Sequence, residues 1–89
     1  MLRIIHAPSI PVTTIHLEGK LLQPWVAEVQ ISVDAARRRG LVRLNLSQLQ
    51  FVDDSGLQLI RNLQQDGVEL SGVPALIAGL MASAGNRRA

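Results

Sequence analysis

The sequence of 89 residues contains no cysteine, no tyrosine, one tryptophan and one phenylalanine. Without cysteine there are no disulfides and no thiolate ligands for zinc, and two histidines, His6 and His16, are too few for a metal site of their own. A domain of this size must therefore be stabilised by one aliphatic core. With so few aromatic rings, the stacking platform of a single-strand nucleic-acid binder is also missing. The sequence predicts no metal and no cofactor.

Long hydrophobic runs and a large charge excess are absent as well. No apolar run approaches the roughly 20 residues of a membrane span, and residues 1–11 lack the features of a signal peptide. Nine Lys and Arg against seven Asp and Glu give a net charge of only +2. The one internal basic run, Arg37, Arg38 and Arg39, is typical of a solvated helix end. We expect a cytoplasmic protein with no membrane span and no nucleic-acid partner.

The first half of the chain predicts a β-hairpin followed by a helix. Residues 2–6 are typical of a strand, a turn with two prolines follows, and residues 12–18 alternate between an apolar and a polar face. From Pro24 to Arg39 the spacing becomes helical, with Trp25 and Ile31 off the apolar stripe. The stripe consists of Leu22, Val26, Val29, Val33 and Ala36.

The second half predicts two strands and two further helices. Residues 41–46 alternate, residues 47–52 are interpreted as a loop, and a helix follows until Gly67. Residues 68–71 form a short strand, and the last helix carries an apolar stripe of Val73, Leu76, Ile77, Leu80 and Met81. We expect one domain over residues 1–84 and a flexible tail over residues 85–89.

The element order β-β-α-β-α-β-α predicts an α/β fold. Because parallel crossovers are right-handed and the strands show one polar face, all helices should cover the same side. The expected architecture is a two-layer sandwich with a four-stranded mixed sheet in the order 1-2-3-4. Its uncovered face should carry Arg43, Asn45, Glu69 and either Thr14 or His16.

The segment from Asp53 to Gly56 is the candidate functional site, because sites in open α/β sheets gather at the carboxyl ends of strands. An aspartate here caps the helix, docks a partner, or does both. Gly56 falls on the inward stripe and predicts close packing on the sheet. Asp54-Ser55-Gly56 has the letters of an aspartic-protease turn, but a helix follows, and Ser55 lacks a nucleophile elbow. We expect no enzyme.

Residues 44–57, which read Leu-Asn-Leu-Ser-Gln-Leu-Gln-Phe-Val-Asp-Asp-Ser-Gly-Leu, resemble the signature of STAS domains, the sulfate-transporter and anti-sigma-factor-antagonist modules. Residues 17–21 and 68–73 are similar to further parts of that family's pattern. The resemblance implies a STAS-like fold and a non-enzymatic regulator of bacterial transcription. Two departures stand out. Asp54 occupies the family's phosphoacceptor position, with Ser55 after it as a weaker candidate, and Asn45 replaces an aspartate.

The resemblance implies a protein partner, foremost an anti-sigma factor of the kinase-like type. The docking residues are expected at the start of the second long helix: Asp53, Asp54, Ser55, Gly56, Leu57, Gln58 and Arg61. Three further readings remain open. One is a subunit of an ABC-type lipid transporter that meets the ATPase subunit, another is a nucleotide-responsive domain, and the third is a homodimer.

Overall fold

The computed structural model describes residues 2–7 and 12–86, which form four strands and three helices in the predicted order. No helix in this part of the chain is long and apolar enough to cross a bilayer. In chain order the elements are β1 (Leu2–Ala7), β2 (Val12–Leu21), α1 (Gln23–Arg37), β3 (Leu41–Val52), α2 (Asp54–Gln65), β4 (Glu69–Ser71) and α3 (Ala75–Asn86).

The sheet has the predicted order β1-β2-β3-β4, with β1 antiparallel to β2 and the other pairs parallel. The expected two-layer α/β architecture is confirmed. Its core is aliphatic and is formed by the inward side chains of the sheet and the apolar stripes of the helices. The fully enclosed side chains among them are Ile15, Leu17, Leu21, Leu44, Leu46, Ile60, Leu63, Ile77, Val29 and Val33.

The uncovered face of the sheet carries both of the residues between which the sequence left a choice. Thr14 lies opposite Arg43 and His16 lies opposite Asn45, while Arg43 lies opposite Glu69 in the next pair of strands. Opposed residues share a face. The Arg43 Nη2 atom lies 3.2 Å from Glu69 Oε1, so a salt bridge joins β3 to β4 on this face.

The loop predicted for residues 47–52 is wrong, because β3 continues without a break to Val52. Its pairing with β2 shifts register twice, between His16 and Glu18 and between Gly19 and Lys20. Each shift is a β-bulge that adds one residue to β3. The inward residues Leu46, Leu49 and Val52 are consequently three apart, a spacing that an alternating strand pattern does not show.

The helices differ from prediction in smaller ways. Helix α1 spans residues 23–37, so it ends two residues before the predicted boundary. Among residues 75–82 of α3, Ile77 alone is fully buried, and Leu76 and Leu80 are exposed, so the predicted apolar stripe is wider than the face that packs against the core. Of the expected tail, residues 85 and 86 belong to α3, and residues 87–89 lie outside the described residues, as do positions 8–11 of the proline turn.

Gly56 allows α2 to touch the sheet, as its place on the inward stripe predicts. A Cβ atom at this position would lie 2.5 Å from the carbonyl oxygen of Leu21 and 2.9 Å from its Cγ atom. Such distances are too short for any side chain, because a backbone oxygen cannot swing away. The start of α2 therefore rests directly on the last residue of β2.

We predict that Gly56→Ala destabilises the fold by about 1–3 kcal/mol, since the added methyl group forces the helix away from Leu21. Gly79→Ala is the matched control, because Gly79 is also helical and has no atom within 4 Å of its missing Cβ. Alanine there should be neutral or stabilising by about 0.5–1 kcal/mol. Urea unfolding of both variants is the measurement, and equal effects at the two glycines would contradict the packing account.

Candidate docking site

The carboxylate of Asp53 joins the N-termini of two helices. Its Oδ1 atom accepts the N–H of Gly56 at 2.8 Å, in the third position of α2, and its Oδ2 atom accepts the N–H of Gln23 at 2.8 Å, in the first position of α1. Asp53 is thus the N-cap of α2 and also the acceptor for α1, whose own N-cap residue, Leu22, offers no side-chain hydrogen bond. One side chain therefore sets the start of both helices.

These contacts use several of the N–H donors at the starts of α1 and α2. In α1, Gln23 donates to Asp53, Pro24 has no N–H, and the N–H of Trp25 donates to the carbonyl of Leu22 at 2.8 Å. In α2, Gly56 donates to the same carboxylate. Helix N-termini bind anions through free N–H groups, and here an internal anion already occupies that position. A nucleotide phosphate would have to share these helix starts with the Asp53 carboxylate, and the nucleotide-responsive hypothesis stays a prediction.

The same hydrogen bonds set the charge state of Asp53. The N–H of Gly56 is the largest cause that holds the pKa of this carboxyl below its usual value. Desolvation is next in size and opposes it, and the N–H of Gln23 lowers the pKa further. Hydrogen bonds to the ionised form favour that form. Asp53 is therefore a fixed negative charge at neutral pH.

At the C-terminal ends of α1 and α2, a cation joins the two helices. Arg37, in the last turn of α1, donates from Nη2 to the carbonyl oxygen of Asp66 at 3.0 Å, and its Nη1 atom lies 3.8 Å from Asp66 Oδ2. Asp66 is the C-cap residue of α2. A cation at the negative ends of two helix dipoles is favourable. Of the predicted basic run, Arg37 is therefore engaged within the domain.

The residues predicted to dock a partner divide into three groups by exposure. Asp54, Ser55 and Gln58 are exposed on the first turns of α2, whereas Gly56 is buried against the sheet. Asp53, Leu57 and Arg61 are half-buried, and Leu57 packs on the core. We call residues 53–57 the acidic corner. Its exposed side chains are the carboxylate of Asp54 and the hydroxyl group of Ser55.

The side chain of Asn45 accepts two hydrogen bonds from Ser47. Its Oδ1 atom accepts both the backbone N–H of Ser47 at 2.9 Å and the hydroxyl of Ser47 at 2.7 Å. This contact lies beside the first bulge of β3. Gly72, with φ of 63°, packs over it, and a Cβ there would lie 2.9 Å from Ser47 Cβ. Only one oxygen is used, so an amide serves as well as a carboxylate.

Two residues at or near the acidic corner were not predicted from the sequence. The backbone of Gln23 takes part in the double cap although it lies 30 residues from Asp53, and no local pattern reports a contact over that distance. Phe51 was assigned to a loop, and it lies instead on the uncovered face of the sheet, exposed and two residues before Asp53. A hydrophobic residue next to a bulge has no periodic signal that fixes its side.

No protein-family model and no curated protein sequence matches this chain significantly. Among solved structures, the anti-sigma factor antagonist SpoIIAA in its unphosphorylated form is similar, with 19% identity, TM-score 0.64, and coverage of 96% of this chain and 81% of that one. A DUF3478-family protein with a SpoIIAA-like fold, from Shewanella loihica PV-4, has 13% identity, TM-score 0.58, and coverage of 94% and 76%.

A third similar structure is that of Mglu, with 27% identity and TM-score 0.64 over 80% of this chain. The matched part is only 19% of the Mglu chain, so the present chain spans a small part of that protein's length. These likenesses show the fold and leave the partner undefined.

We predict that Asp53→Asn lowers the urea midpoint at neutral pH, because an amide has one acceptor oxygen for the two N–H groups of Gly56 and Gln23. The pKa of Asp53 is depressed in the folded state, so its contribution is present above the unfolded-state pKa and is lost as pH falls through the folded-state pKa. The difference between wild type and variant should therefore shrink in acid. Asp54→Asn, at the exposed neighbour, should show little effect at either pH, and an equal loss at both positions would contradict the double cap.

We also predict that Asn45→Asp preserves stability while Asn45→Ala lowers it by about 0.5–1.5 kcal/mol, because the alanine leaves Ser47 without its acceptor. Thermal unfolding followed by circular dichroism measures both variants. If the aspartate variant loses as much as the alanine variant, the oxygen acceptor is not the property that matters.

Proposed function

We propose that this chain, which has the STAS-like fold of SpoIIAA, is a non-enzymatic protein-interaction module of the anti-sigma factor antagonist type. It binds its partner through the acidic corner and the exposed side of α2. The observation that carries this proposal is the division of neighbouring residues: Asp53 and Gly56 bind the helix start to the sheet and to α1, while Asp54 and Ser55 face solvent. The exposed polar side chains of Asp54 and Ser55 are therefore held on a fixed backbone.

Asp54 places a carboxyl group where a regulated relative carries a serine. A phosphoserine has a charge of about −1.5 to −2 and three acceptor oxygens, and an aspartate has one charge and two oxygens. Asp54 is therefore a partial mimic of the phosphorylated state and does not accept phosphate from a serine kinase. We infer that the module works without the usual serine switch and that its affinity for the partner is constant.

The favoured partner is an anti-sigma factor of the kinase-like class, in bacterial transcription control. The alternative role in a lipid transporter requires a basic surface at residues 37–39. Arg37 contributes less to such a surface, because its guanidinium contacts Asp66. Arg38 and Arg39 remain exposed for that alternative. Genes that lie beside this one discriminate the two roles: an anti-sigma kinase gene supports the first, and permease and ATPase genes support the second.

We predict that Asp54→Arg weakens binding to the purified anti-sigma partner at least about tenfold, which corresponds to 1.4 kcal/mol. The matched control is Glu28→Arg, the same charge reversal at an exposed position of α1. Isothermal titration calorimetry measures both affinities. Unchanged binding of Asp54→Arg would refute docking at the acidic corner.

A second experiment addresses the missing switch. Asp54→Ser, incubated with the partner kinase and ATP, should gain one phosphoryl group by mass spectrometry, while the wild-type chain gains none. Phosphorylation of wild type at Ser55 would contradict the proposal of a switchless module.

A further inference from the structure

The only phenylalanine of the chain stands on the uncovered face of the sheet. Phe51 is 46% exposed, and it lies at the carboxyl end of β3, opposite Lys20 of β2. The next strand, β4, pairs with β3 from Arg43 to Asn45, so within residues 2–7 and 12–86 no strand flanks Phe51 on that side. The ring thus lies at an open edge of the sheet, two residues before the start of the acidic corner.

The bulges of β3 are what place the ring there. Gln50 has no partner on β2, since Leu49 pairs with Gly19 and Phe51 with Lys20. Leu49 and Val52 point into the core, and both residues between them are exposed. A regular strand would put only one residue between successive inward positions on the outer face. The backbone itself therefore directs Phe51 outward.

Lys20 adds a charge to the same spot. Its side chain is exposed, and among the described residues no carboxylate lies within 4 Å of its ammonium group, although Arg3, Arg37 and Arg43 each have an acidic neighbour. Directly opposed residues on neighbouring strands have Cβ atoms about 5 Å apart. Phe51 and Lys20 therefore form an apolar ring beside an unneutralised cation.

We propose that Phe51 and Lys20 are a second part of the docking surface, on the sheet side of the acidic corner. The same protein partner binds there: an apolar recess on the partner receives the ring of Phe51, and a carboxylate at the border of that recess pairs with Lys20. This inference rests on the proposed function. Aromatic anchors surrounded by polar rims are the usual centres of binding energy in protein interfaces. Charge selects the occupant: an acidic partner residue complements Lys20, whereas a twofold-related copy whose axis passes through this spot would bring the two Lys20 side chains together.

The experiment uses the full chain with benzoylphenylalanine, a photo-crosslinking amino acid, at one of three positions. They are position 51, position 55 in the acidic corner, and position 31, where Ile31 is exposed on α1. Each protein is irradiated in extract of the source organism, and crosslinked proteins are identified by mass spectrometry. We expect one and the same protein at positions 51 and 55 and its absence at position 31.

Affinities for that purified protein complete the test. We expect Phe51→Ala and Lys20→Glu each to weaken binding at least about tenfold, and Ile31→Ala and Arg38→Glu to leave it unchanged, with circular dichroism confirming the fold of every variant. If position 55 crosslinks and Asp54→Arg weakens binding while Phe51→Ala does not, the proposed function stands and this inference fails. If Phe51→Ala weakens binding while Asp54→Arg does not, the acidic corner fails instead. Crosslinking of position 51 to a second copy of the chain also overturns the inference.

Discussion

The carboxylate of Asp53 is the contact on which the arrangement of both central helices depends. It accepts one N–H from the first residue of α1 and one from the third residue of α2, each at 2.8 Å. Since helices begin where their first donors are satisfied, this single group sets two starting points and the distance between them. At the opposite ends, the guanidinium of Arg37 contacts Asp66. The helix pair is held by an anion at its positive poles and a cation at its negative poles.

This arrangement explains how four consecutive residues serve different purposes. Asp53 is committed to the backbone of two helices and Gly56 to contact with Leu21, so neither has freedom to change. Asp54 and Ser55 between them contact solvent and carry no such duty. Exposed side chains on a rigid backbone suit a docking surface, because little conformational entropy is lost when a partner binds.

Much of the fold was predictable because it rests on local patterns. The helical stripe of α2, the alternation of β2 and the close packing of Gly56 all follow from residue spacing and size. The second half of β3 was not predicted, because two bulges place its inward residues three apart instead of two. A segment without alternation of apolar and polar residues is interpreted as a loop. The extent of α3 packing was overestimated, since an apolar stripe shows which side prefers to be buried and not how much neighbouring surface exists to cover it.

The sequence by itself determined the order of elements, the aliphatic core and the place of the acidic corner, since short-range periodicity and turn chemistry encode these. Only the tertiary structure decided that Asp53 caps a helix that begins 30 residues earlier, and that Phe51 faces outward beside Lys20. Both facts depend on which strands become neighbours and in what register. Contacts between distant segments form only when the chain folds, so a short stretch of sequence does not encode them.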